Sequence, residues 1–190
     1  MKTNILKTGV AFILALTLAS FTVVKEKKVK VKESNITWVG KKITGSHEGT
    51  IQLSEGVLEF TNEKLSGGNF VIDMTTIEVT DLETGNGKEK LEGHLNSDDF
   101  FGTENYETAT FNITNVSGKS PNYKVTGDLT IKGKTIPKTF DMLVTDTSAT
   151  ANFEIDRTKF DIRYGSASFF DNLKDKAIND DFEMNVNLKF

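Results

Sequence analysis

The chain has 190 residues, a formal net charge of −4 and no cysteine. That length suits one domain with a core that needs no staple, and the missing thiols exclude disulfides, thiolate chemistry and a lipidated cysteine anchor. A mildly acidic surface repels phosphates and excludes nucleic acid as a partner, while 14 Phe against 2 Pro suit long paired strands.

Residues 1–20 read as a signal peptide. Lys2 and Lys7 flank the start of an apolar run that begins in earnest at Val10, and Thr17-Leu18-Ala19 offers small residues for cleavage. The run falls short of the ~20 apolar residues of a spanning helix. Its removal takes two lysines and moves the net charge from −4 to −6. The expected location is therefore the periplasm or the outside of the cell, and the folded domain occupies 25–190.

The stretch from Lys25 to Lys32 is basic. It reads as a solvated first strand with Val29 and Val31 inward and the lysines outward; a contact with anionic lipid head groups is the sharper alternative. From Ile36 onward the pattern has period two, the strand period. Ile36, Trp38 and Gly40 share a face. Ile51 and Leu53 follow, then Leu58 and Phe60 beyond a turn at Ser54-Glu55-Gly56. Phe70, Ile72 and Met74 come next, then Phe111 and Ile113, Leu129 and Ile131, Phe140 and Met142, Phe153 and Ile155. Phe182, Met184, Val186, Leu188 and Phe190 close the series. Turn signals stand at Ser66-Gly67-Gly68-Asn69, from Ser117 to Asn122, and at Lys132-Gly133-Lys134. One region breaks the rule: Leu91 and Leu95 stand four apart between Gly87 and Phe101, which predicts one or two short helices across the barrel, with Ser97 capping the second.

One wet and one dry face per segment is the antiparallel, half-buried pattern. A long meander has two exposed edges, and closing it into a barrel removes them. The fold class is thus all-β, a closed antiparallel barrel. Such an interior is either filled by its own side chains or holds one small ligand, and periodicity leaves both open. Polar chemistry offers little. His47 and His94 are too few and too far apart for zinc, so no metal or cofactor is expected. His94 is read as capping or bonding the short helix. Asp98 and Asp99 are adjacent and point apart, which suits helix-start capping. Arg157 beside Asp156 reads as a partly buried ion pair, with an anionic head group as the alternative partner. Asp171, Asp175, Asp180 and Asp181 lack EF-hand spacing, and no G-x-S-x-G elbow surrounds Ser46 or Ser97.

Several runs together resemble the YceI-like family of exported, polyisoprenoid-binding, lipocalin-like proteins. They are Ser34-Asn35-Ile36-Thr37-Trp38-Val39-Gly40 with Gly45-Ser46-His47-Glu48-Gly49-Thr50-Ile51, then Gly68-Asn69-Phe70-Val71-Ile72-Asp73-Met74. His94-Leu95-Asn96-Ser97-Asp98-Asp99-Phe100-Phe101, Ala109-Thr110-Phe111, Gly127-Asp128-Leu129-Thr130-Ile131-Lys132-Gly133 and Ile155-Asp156-Arg157-Thr158-Lys159-Phe160 complete the set. Gly102 stands where the family usually has Asp, and Glu107 stands near a usual Pro. The resemblance covers roughly 34–190. It implies an extended eight-stranded antiparallel, lipocalin-like barrel with a long apolar, isoprenoid-type lipid in the lumen, and no catalytic residues. The dry-face positions it marks for lipid contact are Phe70, Ile72, Met74, Phe111, Ile113, Leu129, Ile131, Phe140, Phe153 and Phe160, with Phe100 and Phe101 closing one end.

The expected function is therefore a carrier that sequesters or shuttles a long lipid. The alternatives are an exported, stress-linked or partner-binding barrel with a packed interior, and a lipid enzyme using His94 and Arg157. Transient membrane contact and a homodimer are both compatible with this reading.

Overall fold

A computed structural model describes residues 23–190; the predicted signal peptide lies outside them. The strands are β1 (Val24–Lys28), β2 (Asn35–Lys42), β3 (Gly45–Thr61), β4 (Lys64–Val79), β5 (Thr108–Lys119), β6 (Asn122–Ile131), β7 (Lys134–Val144), β8 (Ser148–Asp156) and β9 (Ile178–Lys189). One helix, α1 (Lys88–Asn96), lies between β4 and β5. All pairings are antiparallel, in the order β1-β3-β2-β9-β8-β7-β6-β5-β4, and β3 pairs back to β4. The sheet is a closed barrel, as the alternation predicts, and it has the eight lanes that the family resemblance implies.

The ninth strand does not make a ninth lane. β2 pairs with residues 45–51 of β3, and β1 pairs with residues 57–61 along the same edge. The two share one lane, interrupted by a 3-10 turn at Val31–Glu33. The basic stretch is therefore a strand only as far as Lys28. Val29 is buried as predicted, whereas Val31 is half-buried in the turn rather than in a strand.

Two predicted turns are interior to strands. β3 runs unbroken through Ser54-Glu55-Gly56, with a bulge between Leu53 and Glu55. A bulge bends and twists a strand without ending it, which lets β3 serve β2 and then β1. β4 likewise runs through Ser66-Gly67-Gly68-Asn69. A Cβ on Gly68 would stand 2.6 Å from the Val57 carbonyl oxygen, so this glycine permits close approach of two strands. The true hairpin turn is Asn62-Glu63, both residues left-handed at φ 50° and 65°, the geometry that matches strand twist.

The two ends of the barrel differ. At the end where β6 starts and β7 finishes, Leu58, Leu65, Val125, Val144 and Ala149 are packed solid. Lys27 closes that end. Its ammonium lies 4.8 Å from the ring centres of both Phe60 and Phe190 and donates to the Asp146 carbonyl at 2.7 Å. The opposite end carries α1 and the long connection from Arg157 to Ala177.

A narrow apolar lumen under an aromatic cap

Side chains from the upper part of the barrel enclose a cavity of about 180 Å3. Ten of the twelve predicted lipid-contact residues line it. Phe70, Ile72 and Met74 come from β4, Phe111 from β5, Leu129 and Ile131 from β6, Phe140 from β7 and Phe153 from β8. Phe100 and Phe101 reach it from the turn after α1. Ile113 and Phe160 do not line it. Ile113 lies toward the packed end, against Gly68 and just before a register shift in β5. Phe160 is buried in a 3-10 turn, Arg157–Phe160, where strand parity no longer applies.

Four of these rings form a band across the wall. Phe70 and Phe111 stand 6.5 Å apart, Phe111 and Phe140 5.3 Å, and Phe140 and Phe153 4.2 Å at an interplanar angle of 11°. The band crosses β6 where that strand presents no side chain. A Cβ on Gly127 would fall 2.5 Å from Phe111 Cζ. Aromatic pairs at such distances add stability beyond their buried area.

The cap is built from the turn after α1. Phe100 and Phe101 meet edge to face at 5.1 Å, and Phe101 meets Phe182 at 6.3 Å. Lys132 fixes this turn to the β6–β7 hairpin by donating to the carbonyls of Asp98 at 2.5 Å and Phe100 at 2.8 Å. Gly102 occupies the left-handed region at φ 60°, and its N–H donates to the Ser97 carbonyl at 2.8 Å. A residue without a Cβ is at ease there. Ser97 does not cap a second helix; its hydroxyl turns back and donates to the His94 carbonyl at 2.7 Å. The His94 ring is not a cap either. It wedges between Tyr164 at 4.3 Å and Phe100 at 5.5 Å, and its Nε2 has no hydrogen-bond partner among the described residues.

Arg157 lies beside the cap, 2% exposed. Its guanidinium donates to the carbonyls of Asn179, Ile162, Tyr164 and Ile178 at 2.8–3.0 Å. Its nearest acid is Asp180 at 3.6 Å. Burial pulls its pKa down, and Asp180 and Asp156 push the other way. Four of its five N–H donors go to backbone carbonyls, so it is a clamp for the connection to β9. The partly buried ion pair expected of Arg157 is thus with Asp180, while Asp156 caps the 3-10 turn, accepting from the Thr158 N–H at 3.0 Å and hydroxyl at 2.5 Å. His47 bonds Asp81 at 2.8 Å across the β2–β3 end. Burial of Asp81 opposes its charge, but His47 and the Glu48 N–H together hold its pKa below the ordinary carboxylate value.

Trp38 of β2 and Phe182, Met184 and Val186 of β9 also line the lumen. Their signal was the plain alternation of those two strands. So was that of Lys138, which shares the inward parity of Phe140 and Met142 and lines the lumen with them.

An eight-lane antiparallel barrel, packed at one end and holding a mostly apolar lumen at the other, defines a lipocalin-like class of protein. A family model for the YceI-like domain matches residues 28–190, and the chain belongs to that family. Sequence relatives include UPF0312 proteins of Photorhabdus laumondii, 42% identical over 62 residues, and of Staphylococcus aureus, 45% identical over 67 residues. These alignments cover 33% and 35% of this chain and 31% and 36% of the relatives. The chain thus spans about a third of the length of the curated relatives it matches. Burkholderia cenocepacia BcnA has the same fold, with a TM-score of 0.68 at 22% identity over 85% of this chain and 99% of that one. So does a polyisoprenoid binding domain from Saccharophagus degradans, at 0.59 and 15% identity over 85% and 95%.

Proposed function

We propose that this domain is an exported lipid carrier, in the periplasm or outside the cell, which holds one long apolar, isoprenoid-type chain in its lumen without turning it over. The observation that carries this reading is the cavity of about 180 Å3 walled by Phe, Ile, Leu and Met under the Phe100–Phe101 cap. An engineered apolar cavity of about 150 Å3 stays dry and takes up benzene; this lumen is larger, and its wall is mostly apolar. Each Å2 of apolar surface withdrawn from water stabilises the complex by ~25 cal/mol. Its narrowness favours a slender chain over a fused ring system. Met74 and Met184, with flexible thioethers on opposite walls, can repack around a longer tail. The polyisoprenoid-binding description of the Saccharophagus domain supports the same ligand class. Ile43, Tyr164, Phe169 and Phe170 are exposed at the capped end, which suits a transient membrane contact during loading.

A second reading has one observation in its favour. The lumen is smaller than the ~300–1,000 Å3 usual for ligand sites, as expected of a packed barrel that binds a protein partner. Organic extraction and mass spectrometry of protein purified from a membrane-bearing host decide between them. The carrier yields a long-chain lipid near one per protein; a lipid-free extract overturns the carrier and favours the packed barrel.

A further inference from the structure

The barrel wall has a gap in its ladder. β8 pairs with β9 along its whole length, from Ser148 to Asp156. It pairs with β7 only at Met142–Ala151, Leu143–Thr150 and Val144–Ala149. Above Met142 both strands continue, yet no ladder joins them among the described residues. The stacked Phe140 and Phe153 rings mark the lower limit of this seam at 4.2 Å. The Lys134–Asp161 ion pair, at 2.7 Å, spans its upper limit.

Lys138 stands in the seam. It faces inward opposite Gly127, lines the lumen and is half-buried. Its ammonium is 6.0 Å from the Phe153 ring centre. Asp128 and Glu154, on the flanking strands, have the opposite, outward parity; Asp181, the acid on the lumen wall, stands on β9, and none of the three forms an ion pair with Lys138 among the described residues. A cation turned toward an oily bore is costly unless its head reaches water or an anion, and the broken ladder gives it that outlet while the stem lies along apolar surface. Arg157, the other cation on the lumen wall, has four of its five N–H donors on backbone carbonyls and lies 3.6 Å from Asp180. Among the described residues Lys138 is the lumen's uncommitted positive charge.

We infer that Lys138 in the β7–β8 seam is the head-group site for an anionic amphiphile, a phosphate monoester or carboxylate, whose tail lies in the lumen. The inference rests on the carrier reading above and adds the chemical class of the head. The seam also gives the head a place to sit in water without displacing the Phe100–Phe101 cap.

Calorimetric titration with hexadecyl phosphate, hexadecanol and inorganic phosphate tests it, on the unaltered protein and on Lys138→Met and Lys138→Arg, each checked for an unchanged melt. A charge-assisted contact contributes about 1.5 kcal/mol or more, which is about tenfold in affinity. The unaltered protein and Lys138→Arg should prefer hexadecyl phosphate to hexadecanol by about that factor. Lys138→Met should bind the two equally, through loss of phosphate affinity alone. Inorganic phosphate should not bind at the same concentrations. A preference that survives in Lys138→Met, or inorganic phosphate binding as tightly as its alkyl ester, overturns the head-group site and leaves the carrier standing. Failure of both alkyl probes to bind overturns the carrier, and this site with it.

Discussion

Arg157 illustrates what one residue contributes. Its position within Ile155-Asp156-Arg157-Thr158-Lys159-Phe160 is prominent in the sequence, and a buried arginine invites the search for a carboxylate. The structure gives it that carboxylate, Asp180 at 3.6 Å, and four backbone carbonyls besides. Backbone acceptors have no side-chain signature, so this role was not legible before folding brought residues 162–164 and 178–179 around it. Lysine offers one compact ammonium where the site needs a planar fork. Arg157→Lys should therefore leave buried carbonyls unpaired and cost roughly 3–5 kcal/mol, the range for breaking a buried charged cluster. A fall in the urea midpoint, with the slope unchanged, is the measurement that checks it. His94 gives the complementary lesson. Its helix was read correctly from Leu91 and Leu95, but its ring serves the aromatic cap, and only the approach of Tyr164 decides that.

At the scale of strands, glycines divide into two kinds that look alike in a sequence. Gly133 follows the turn rule between β6 and β7, with φ 73°. Gly127 sits inside β6 because the Phe111 ring occupies its side-chain space. The same confusion made Ser66-Gly67-Gly68-Asn69 resemble a turn, while the real one, Asn62-Glu63, carries no glycine. Gly127→Ala should push Phe111 away from Phe140 and break the ring band, since the new Cβ would also lie 2.6 Å from the Asn112 carbonyl oxygen. A cost of about 1–3 kcal/mol is expected for such overpacking. Equilibrium denaturation measures it, and altered ring-current shifts of Phe111 and Phe140 locate it.

For the whole molecule, the consequential feature is the contrast between a packed end and a hollow one. Ala151 of β8 is one of the small residues that keep the lumen open. It points inward between Met142 and Val186 in the register. A phenyl group there takes up most of a space of about 180 Å3, given that benzene fits an apolar cavity of about 150 Å3. Ala151→Phe should reduce lipid uptake at least tenfold, read by titration with a long-chain probe, while the melting temperature stays level or rises. If uptake is unchanged, the chain does not travel through this part of the bore.

Alternation of apolar and polar residues is a local property, repeated every two positions. By itself it determined the all-β class, the strand faces and the inward side of eight of the residues that line the lumen; Phe100 and Phe101 and the number of lanes came from the family resemblance. The size of that lumen is a small difference between the spacing of the walls and the volume of side chains contributed by eight lanes, and no short window of sequence contains it. The same holds for the break between β7 and β8, because a ladder is made or lost by where two strands are placed, not by what either one is. Tertiary structure alone decided how hollow the barrel is and where its wall parts.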